Sequence, residues 1–242
     1  MKFCQCSAVL MSSMALLGTL IGGCGSGTGP GFLTPANVTR GHGYSQDAII
    51  LASREATGAW IPSEVAAQRD MDLKVIRERF PSLQEIAARP EATLDQVLVG
   101  LRPTALWRSA WEAGNLATGE SAVDDLLTEF RATKVEKIFA AQESAWFTVT
   151  FDQPLNVNLL AERIADLGGD INYAEPNRYA GDGNNITFRR EGTNRIYSFS
   201  HGWGDCPAGC INRRYWTVTI TENGVISVEQ SGDELPPGEI GE

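Results

Sequence analysis

Between Gln96 and Asn177 the apolar period alternates between that of a strand and that of a helix, and this succession restricts the available folds more than any other feature of the chain. "QVLVGL" (96–101) reads as a strand. "TALWRSAWEAG" and "SAVDDLLTEF" read as helices, the first closing at Gly114. "KVEKIFA" and "AWFTVTF" are strand-like, and in the second Phe147, Val149 and Phe151 share one side because side chains alternate across a strand. "NVNLLAERIADLGG" puts Val157, Leu160, Ile164 and Leu167 on one helical stripe, with Asn156 as cap and Gly168 as stop. "DINYAEPN" closes the series as a strand.

A β-α-β-β-α-β order is that of the split βαβ unit of ferredoxin-like folds, an antiparallel four-stranded sheet with helices on one face. The expected class is therefore α+β, a ferredoxin-like βαββαβ domain over 94–180 followed by a small antiparallel β-meander over 181–230. The meander strands are "NITFRR", "RIYSFS", "RRYWTVTI" and "VISVEQ". In the third, Trp216, Val218 and Ile220 alternate with Tyr215, Thr217 and Thr219, and Asn223-Gly224 predicts a type I′ hairpin to the fourth. Upstream, residues 47–93 predict a strand, "AIILAS", then a helix over "SEVAAQRDMDLKVIRERF" with Leu73, Ile76 and Phe80 on one face, Ser63 as N-cap and Pro81 as stop. Residues 24–46, rich in Gly, Ser, Thr and Pro, predict a flexible tether, and 231–242 a disordered acidic tail.

Residues 1–23 predict a processing signal: Lys2 is a short basic start, and the apolar run from Ala8 to Ile21 is shorter than a membrane span and broken by Ser12, Ser13 and Gly18. Ile21-Gly22-Gly23-Cys24 resembles the lipobox of bacterial lipoproteins. The resemblance implies that Cys24 is lipidated and becomes the new N-terminus, which places the protein in the cell envelope on a membrane. Gly25 after the cysteine implies the outer membrane of a two-membrane bacterium. Cys4 and Cys6 would leave with the signal, so Cys206 and Cys210 are the thiols left to account for. The formal charge of -10 becomes -11 once Lys2 is removed, which argues against a nucleic-acid partner.

"INYAEPNRY", after a helix and a Gly-Gly-Asp turn, resembles the C-terminal end of subtilisin-type propeptide and inhibitor domains, and "QVLVGL" is similar to their opening strand. The resemblance spans roughly residues 94–180. It implies packing against a subtilisin-type protease, with Asn177, Arg178 and Tyr179, and the chain on to Gly181, as the tail that enters the cleft. No protease follows in this chain: the Asp-Thr-Gly, His-Gly-Thr and Gly-Thr-Ser signatures are absent beyond the signal, and His42 and His201 are its two histidines. "YAEPN", "GDG" and the strand pair around "GWGDCPAGC" resemble a family of bacterial envelope lipoproteins of uncharacterised activity.

Three readings fit the cysteines in "GWGDCPAGC". A disulfide would close the turn, with Pro207 and Gly209 letting the backbone reverse; outside the cytoplasm such a pair is expected to be oxidised. A redox pair would need a lowered thiol pKa, and Cys-x-x-x-Cys between strands lacks the usual helix N-terminus. A zinc site would recruit His201 and Asp205. The disulfide is the expectation, with no metal and no cofactor. Trp203, between Gly202 and Gly204, is a candidate partner anchor, or else covers the end of the small core. Trp107 and Trp111 read as helix packing, and Arg189, Arg190, Arg195, Arg213 and Arg214 as a solvated face or an anion site. Asp124 and Asp125, adjacent on a helix, point in different directions, and Glu222 would have to pair with the acidic tail expected to be disordered, so neither makes an acid–base pair. The expected function is a non-enzymatic envelope lipoprotein that binds an unidentified protein partner; a stand-alone subtilisin inhibitor or folding helper is the alternative, and thiol or zinc chemistry a third.

Overall fold

In the computed structural model, which describes residues 37–39, 41–140 and 145–238, the alternating segments condense into two antiparallel four-stranded sheets in a mixed α/β fold. The expected signal, Cys24 and residues 24–36 of the expected tether lie outside the described residues. The first sheet contains β1 (Ala92–Leu101), β2 (Ala132–Ala140), β3 (Ala145–Phe151) and β4 (Ile171–Arg178), in the order β2-β3-β1-β4 with every pair antiparallel. On one face Val97, Val99, Phe147, Val149 and Phe151 are fully buried beneath α3 (Arg108–Glu112), α4 (Ser121–Glu129) and α5 (Val157–Ala165). Asn156 caps α5 as expected, its Oδ1 accepting from the Leu159 N–H at 3.3 Å, and Gly168 follows with φ 61°. Trp107 and Trp111 pack edge to face in this core, but α3 is only five residues long, shorter than the expected 104–114.

The second sheet is a meander, β5 (Asn185–Glu191), β6 (Asn194–Trp203), β7 (Asn212–Ile220) and β8 (Ile226–Gly232), in sequential order. Trp216, Val218 and Ile220 are buried together as the alternation requires. The β7–β8 turn is not type I′. Gly224 has φ 76°, but Asn223 is absent from the positive-φ residues, and Gly224 and Val225 both fold back on Thr221. This is a three-residue loop with Gly in the left-handed position.

"AIILAS" is a helix, not a strand: α1 runs Gln46–Glu55, with the Ser45 hydroxyl accepting from the Ala48 N–H and Asp47 in the first turn. A short apolar run has no period of its own, and the cap decides. Within the expected tether Val38 is fully buried and its N–H donates to Ile61 O at 2.8 Å. His42, expected in that tether, accepts from the Thr39 N–H through Nδ1 at 2.8 Å and stacks on Tyr44. Helix α2 spans Ser63–Arg79, but Pro62 rather than Ser63 occupies the N-cap position. The expected disordered tail continues β8 to Gly232, and Asp233 exchanges hydrogen bonds with the Arg213 backbone.

Residues 47–93 share their core with the meander. Ile50, Leu51, Leu73 and Ile76 pack with Ile186, Tyr197, Phe199 and Trp216. A buried polar network crosses this interface. Arg69, 1% exposed, donates to both carboxylate oxygens of Glu55 at 2.6 and 2.8 Å and lies 3.5 Å over the Phe188 ring. Asp72 accepts from Tyr197 Oη and Arg195 Nε, both at 2.7 Å, and from Gln68 Nε2 at 3.0 Å. Burial opposes the Arg69 charge, but its bonds to Glu55 and Tyr197 outweigh that and raise its pKa; burial drives the Tyr197 phenol upward. Charges so enclosed hold the two elements in one arrangement because any shift would leave one of them unpaired.

Candidate functional site

The chain leaves β6 at Trp203 and returns into β7 at Asn212, and a Cys206–Cys210 disulfide closes the intervening loop. Both sulfurs are therefore bonded to each other. Gly202 lets Cys210 lie against the β6 backbone, and Gly204 and Gly209 take φ of 93° and 128°, values that favour glycine. The loop is fastened to the segment joining the two sheets. The Asp182 N–H donates to Cys206 O at 2.9 Å, and its carboxylate accepts from Gly183 N–H at 2.7 Å, Cys210 N–H at 3.2 Å and Arg213 Nη2 at 2.6 Å. The Gly183 amide first, then Arg213 and the Cys210 amide, hold the Asp182 pKa down at about 2. Arg213 also donates to Gly183 O and Ser200 Oγ, at 2.8 and 3.1 Å.

The other residues singled out in the sequence fall into separate places. Trp203 is half-buried and its ring stacks on His201 at 5.7 Å. Asn177 and Arg178 end β4: Asn177 Nδ2 donates to Gln96 Oε1 at 2.7 Å, and Arg178 Nη2 donates to Asn158 Oδ1 at 3.1 Å. The Tyr179 N–H donates to Glu91 O and its hydroxyl accepts from Thr93 Oγ1. Arg89 holds Ala180 O at 2.6 Å. The segment expected to be a tail is thus tied along its length and leads straight under the disulfide loop. Arg190 lies opposite Arg195 across β5 and β6, 5.8 Å over the Phe188 ring, and the other four arginines are engaged by separate partners. Arg195 pairs with Asp72, Arg213 with Asp182 and Arg189 with Glu191, while Arg214 reaches Gln230. Asp124 closes the loop before α4, accepting from Thr118 and the Gly119 N–H; these bonds outweigh burial and lower its pKa. Among the described residues no three His, Cys, Asp or Glu side chains gather as a metal site.

A hollow of about 500 Å³ lies beside Arg54, Glu91, Leu94 and the start of α5. Arg54 is committed there to Ile186 O and Arg89 O at 2.7 and 2.5 Å, and burial lowers its pKa.

The largest feature that the sequence reading missed is the open face of the first sheet. Strand register arranges it in three rows running across the strands. Phe139, Trp146 and Tyr173 make the first row, with Gly100 between the last two; Glu136, Thr148, Leu98 and Glu175 make the second; Lys134, Thr150, Gln96 and Asn177 make the third. In the first row the rings are nearly parallel, with centroids 6.1 Å apart for Phe139–Trp146 and 5.7 Å for Trp146–Tyr173. Trp146 and Tyr173 close over Gly100, where an added Cβ would meet them at 3.4–3.5 Å, an ordinary contact distance. Phe139 is 52% and Tyr173 60% exposed, an unusual placement for two large rings in one row. The alternation that buries Phe147 implies that Trp146 faces outward. The slip in register between Lys137 and Phe139, which brings Phe139 opposite Trp146, and the pairing of Gly100 with Tyr173 leave no mark in the sequence.

Among the described residues no helix is long and apolar enough to cross a membrane. No family model, no curated protein and no solved structure matches this chain.

Proposed function

We propose that this chain is a non-enzymatic protein-interaction module of the cell envelope, anchored by lipid on Cys24 and making contact through the open face of its first sheet. The observation that carries the reading is the exposed aromatic row of Phe139, Trp146 and Tyr173. Aromatic side chains supply large contact area for little conformational entropy and are enriched at protein contacts. The anchor rests on the Ile21–Cys24 sequence and is tested by Cys24→Ser. That variant is expected to lose incorporation of labelled fatty acid and to leave the membrane fraction; unchanged fractionation contradicts the anchor.

The order β4-β1-β3-β2 supports reading the first domain as a ferredoxin-like arrangement. Together with "INYAEPN" it also supports the second reading, a stand-alone inhibitor or folding helper of a subtilisin-type protease. The bonds that tie Tyr179 and Ala180 weigh against an inhibitory tail in that reading. A panel of subtilisin-type proteases separates the two: inhibition at micromolar protein that is lost on Tyr179→Gly favours the inhibitor, and its absence favours the interaction module.

A further inference from the structure

We infer that the open face of the first sheet receives a basic, arginine-bearing protein segment; this rests on reading that face as the contact surface of the chain. Charge selects the partner. The chain carries 30 acidic against 20 basic side chains, and the row beside the aromatics has a carboxylate at each edge of the sheet, Glu136 and Glu175. Lys134 holds Glu136 at 2.7 Å, whereas Glu175 is exposed, two residues along β4 from Tyr173 and on the same face. Such a surface repels nucleic acid and anionic lipid and attracts cations.

The aromatic row sharpens that preference to arginine. A guanidinium stacks flat on an aromatic ring while donating in its own plane to a carboxylate, which a lysine ammonium does less well. The molecule uses this pairing twice within itself. Arg163 lies 4.7 Å over Phe130 while donating to both oxygens of Glu129 at 2.8 and 2.9 Å. Arg69 does the same with Phe188 and Glu55. Tyr173 and Glu175, both exposed on one face, present the ring and carboxylate halves of that arrangement to solvent, with Trp146 half-buried beside them. Alternate side chains of an extended segment stand about 6.8 Å apart, close to the 5.7 and 6.1 Å between successive rings. An alternating arginine sequence laid along the row therefore follows its spacing, with a guanidinium able to pack on the exposed Tyr173 beside Glu175.

The test is calorimetric titration of the full chain with acetyl-Thr-Arg-Thr-Arg-Thr-Arg-amide, beside the peptides that carry lysine or glutamate in place of arginine. The arginine peptide is expected to bind most tightly, the glutamate peptide not at all, and added salt to weaken binding. Tyr173→Ser and Glu175→Gln, both at exposed positions, are each expected to weaken it roughly tenfold. Equal binding by these variants and the parent, or equal affinity for arginine and glutamate peptides, overturns the inference. Absence of any peptide binding overturns it too, and sedimentation of the parent and Tyr173→Ser then judges the broader reading. Self-association that the substitution abolishes keeps the contact surface and makes a second copy its occupant; identical sedimentation removes the contact surface as well.

Discussion

A Cβ on Gly202 would lie 2.5 Å from Cys210 Sγ and 2.9 Å from Cys210 Cβ, so Gly202→Ala has to push the disulfide off the β6 backbone. Overpacking of this kind costs about 1–3 kcal/mol, and a lowered melting temperature with an intact disulfide is the expected result. At Arg69 the reverse operation is informative. Arg69→Met leaves Glu55 and Asp72 without their buried cation, and removing one partner of such a network costs about 3–5 kcal/mol by denaturant titration. Asp182 makes a prediction in pH. Its pKa is depressed in the folded protein from the ordinary 3.8 to about 2. The carboxylate therefore adds stability that is complete above pH 3.8 and is lost as pH falls from there through about 2. Amide exchange at Gly183 and Cys210 should accelerate across that window, and Asp182→Asn should already exchange fast at neutral pH with no such step. Of these residues, the glycines, the cysteine pair and Arg213 stood out in the sequence, but not the contact that joins Arg213 to Asp182. Asp182 and Arg213 meet across 31 positions, and no local pattern announces such a pair.

Among the elements, those whose faces are set by one apolar period were legible. Strand β3 buries Phe147, Val149 and Phe151, α5 buries Val157, Leu160 and Ile164, and the four meander strands lie where their alternation puts them. Where a competing signal governed, the reading failed. Helix α1 is fixed by Ser45 rather than by its apolar run. Helix α2 was legible, with Leu73 and Ile76 buried as their spacing requires, but Arg69 and Asp72 share that face and meet Tyr197 of the meander, which no local pattern announces. The first sheet's open face was hidden for a related reason: cross-strand pairing, with the register slip between Lys137 and Phe139, decides which rings share a row, and pairing is a tertiary property. The disulfide loop belongs to this scale as well. On the loop-entropy account a ring this small stabilises by about 2 kcal/mol. Cys206→Ser with Cys210→Ser should therefore leave the meander folded, with a modest fall in denaturant midpoint and faster exchange at Asp182 and Gly183. Collapse of the whole fold would show that the loop holds more than its own shape.

For the molecule as a whole, the N-terminal helices and the meander make one core while the β1–β4 sheet and α3–α5 make another. Residues 47–93 and 181–230 contribute to one core, in which side chains far apart in sequence complete one another's burial. The helices that cover one face of the first sheet leave its other face to solvent, with the aromatic row across it. That asymmetry is the basis for assigning contact to this surface. The most direct test places a photoactivatable phenylalanine analogue at Tyr173, or at the exposed Tyr215 of the meander, in cells that make the protein. The account predicts a discrete crosslinked product from position 173 that Trp146→Ala abolishes, and none of equal yield from position 215. Equal crosslinking at both positions, or a product at 173 indifferent to Trp146, would contradict it.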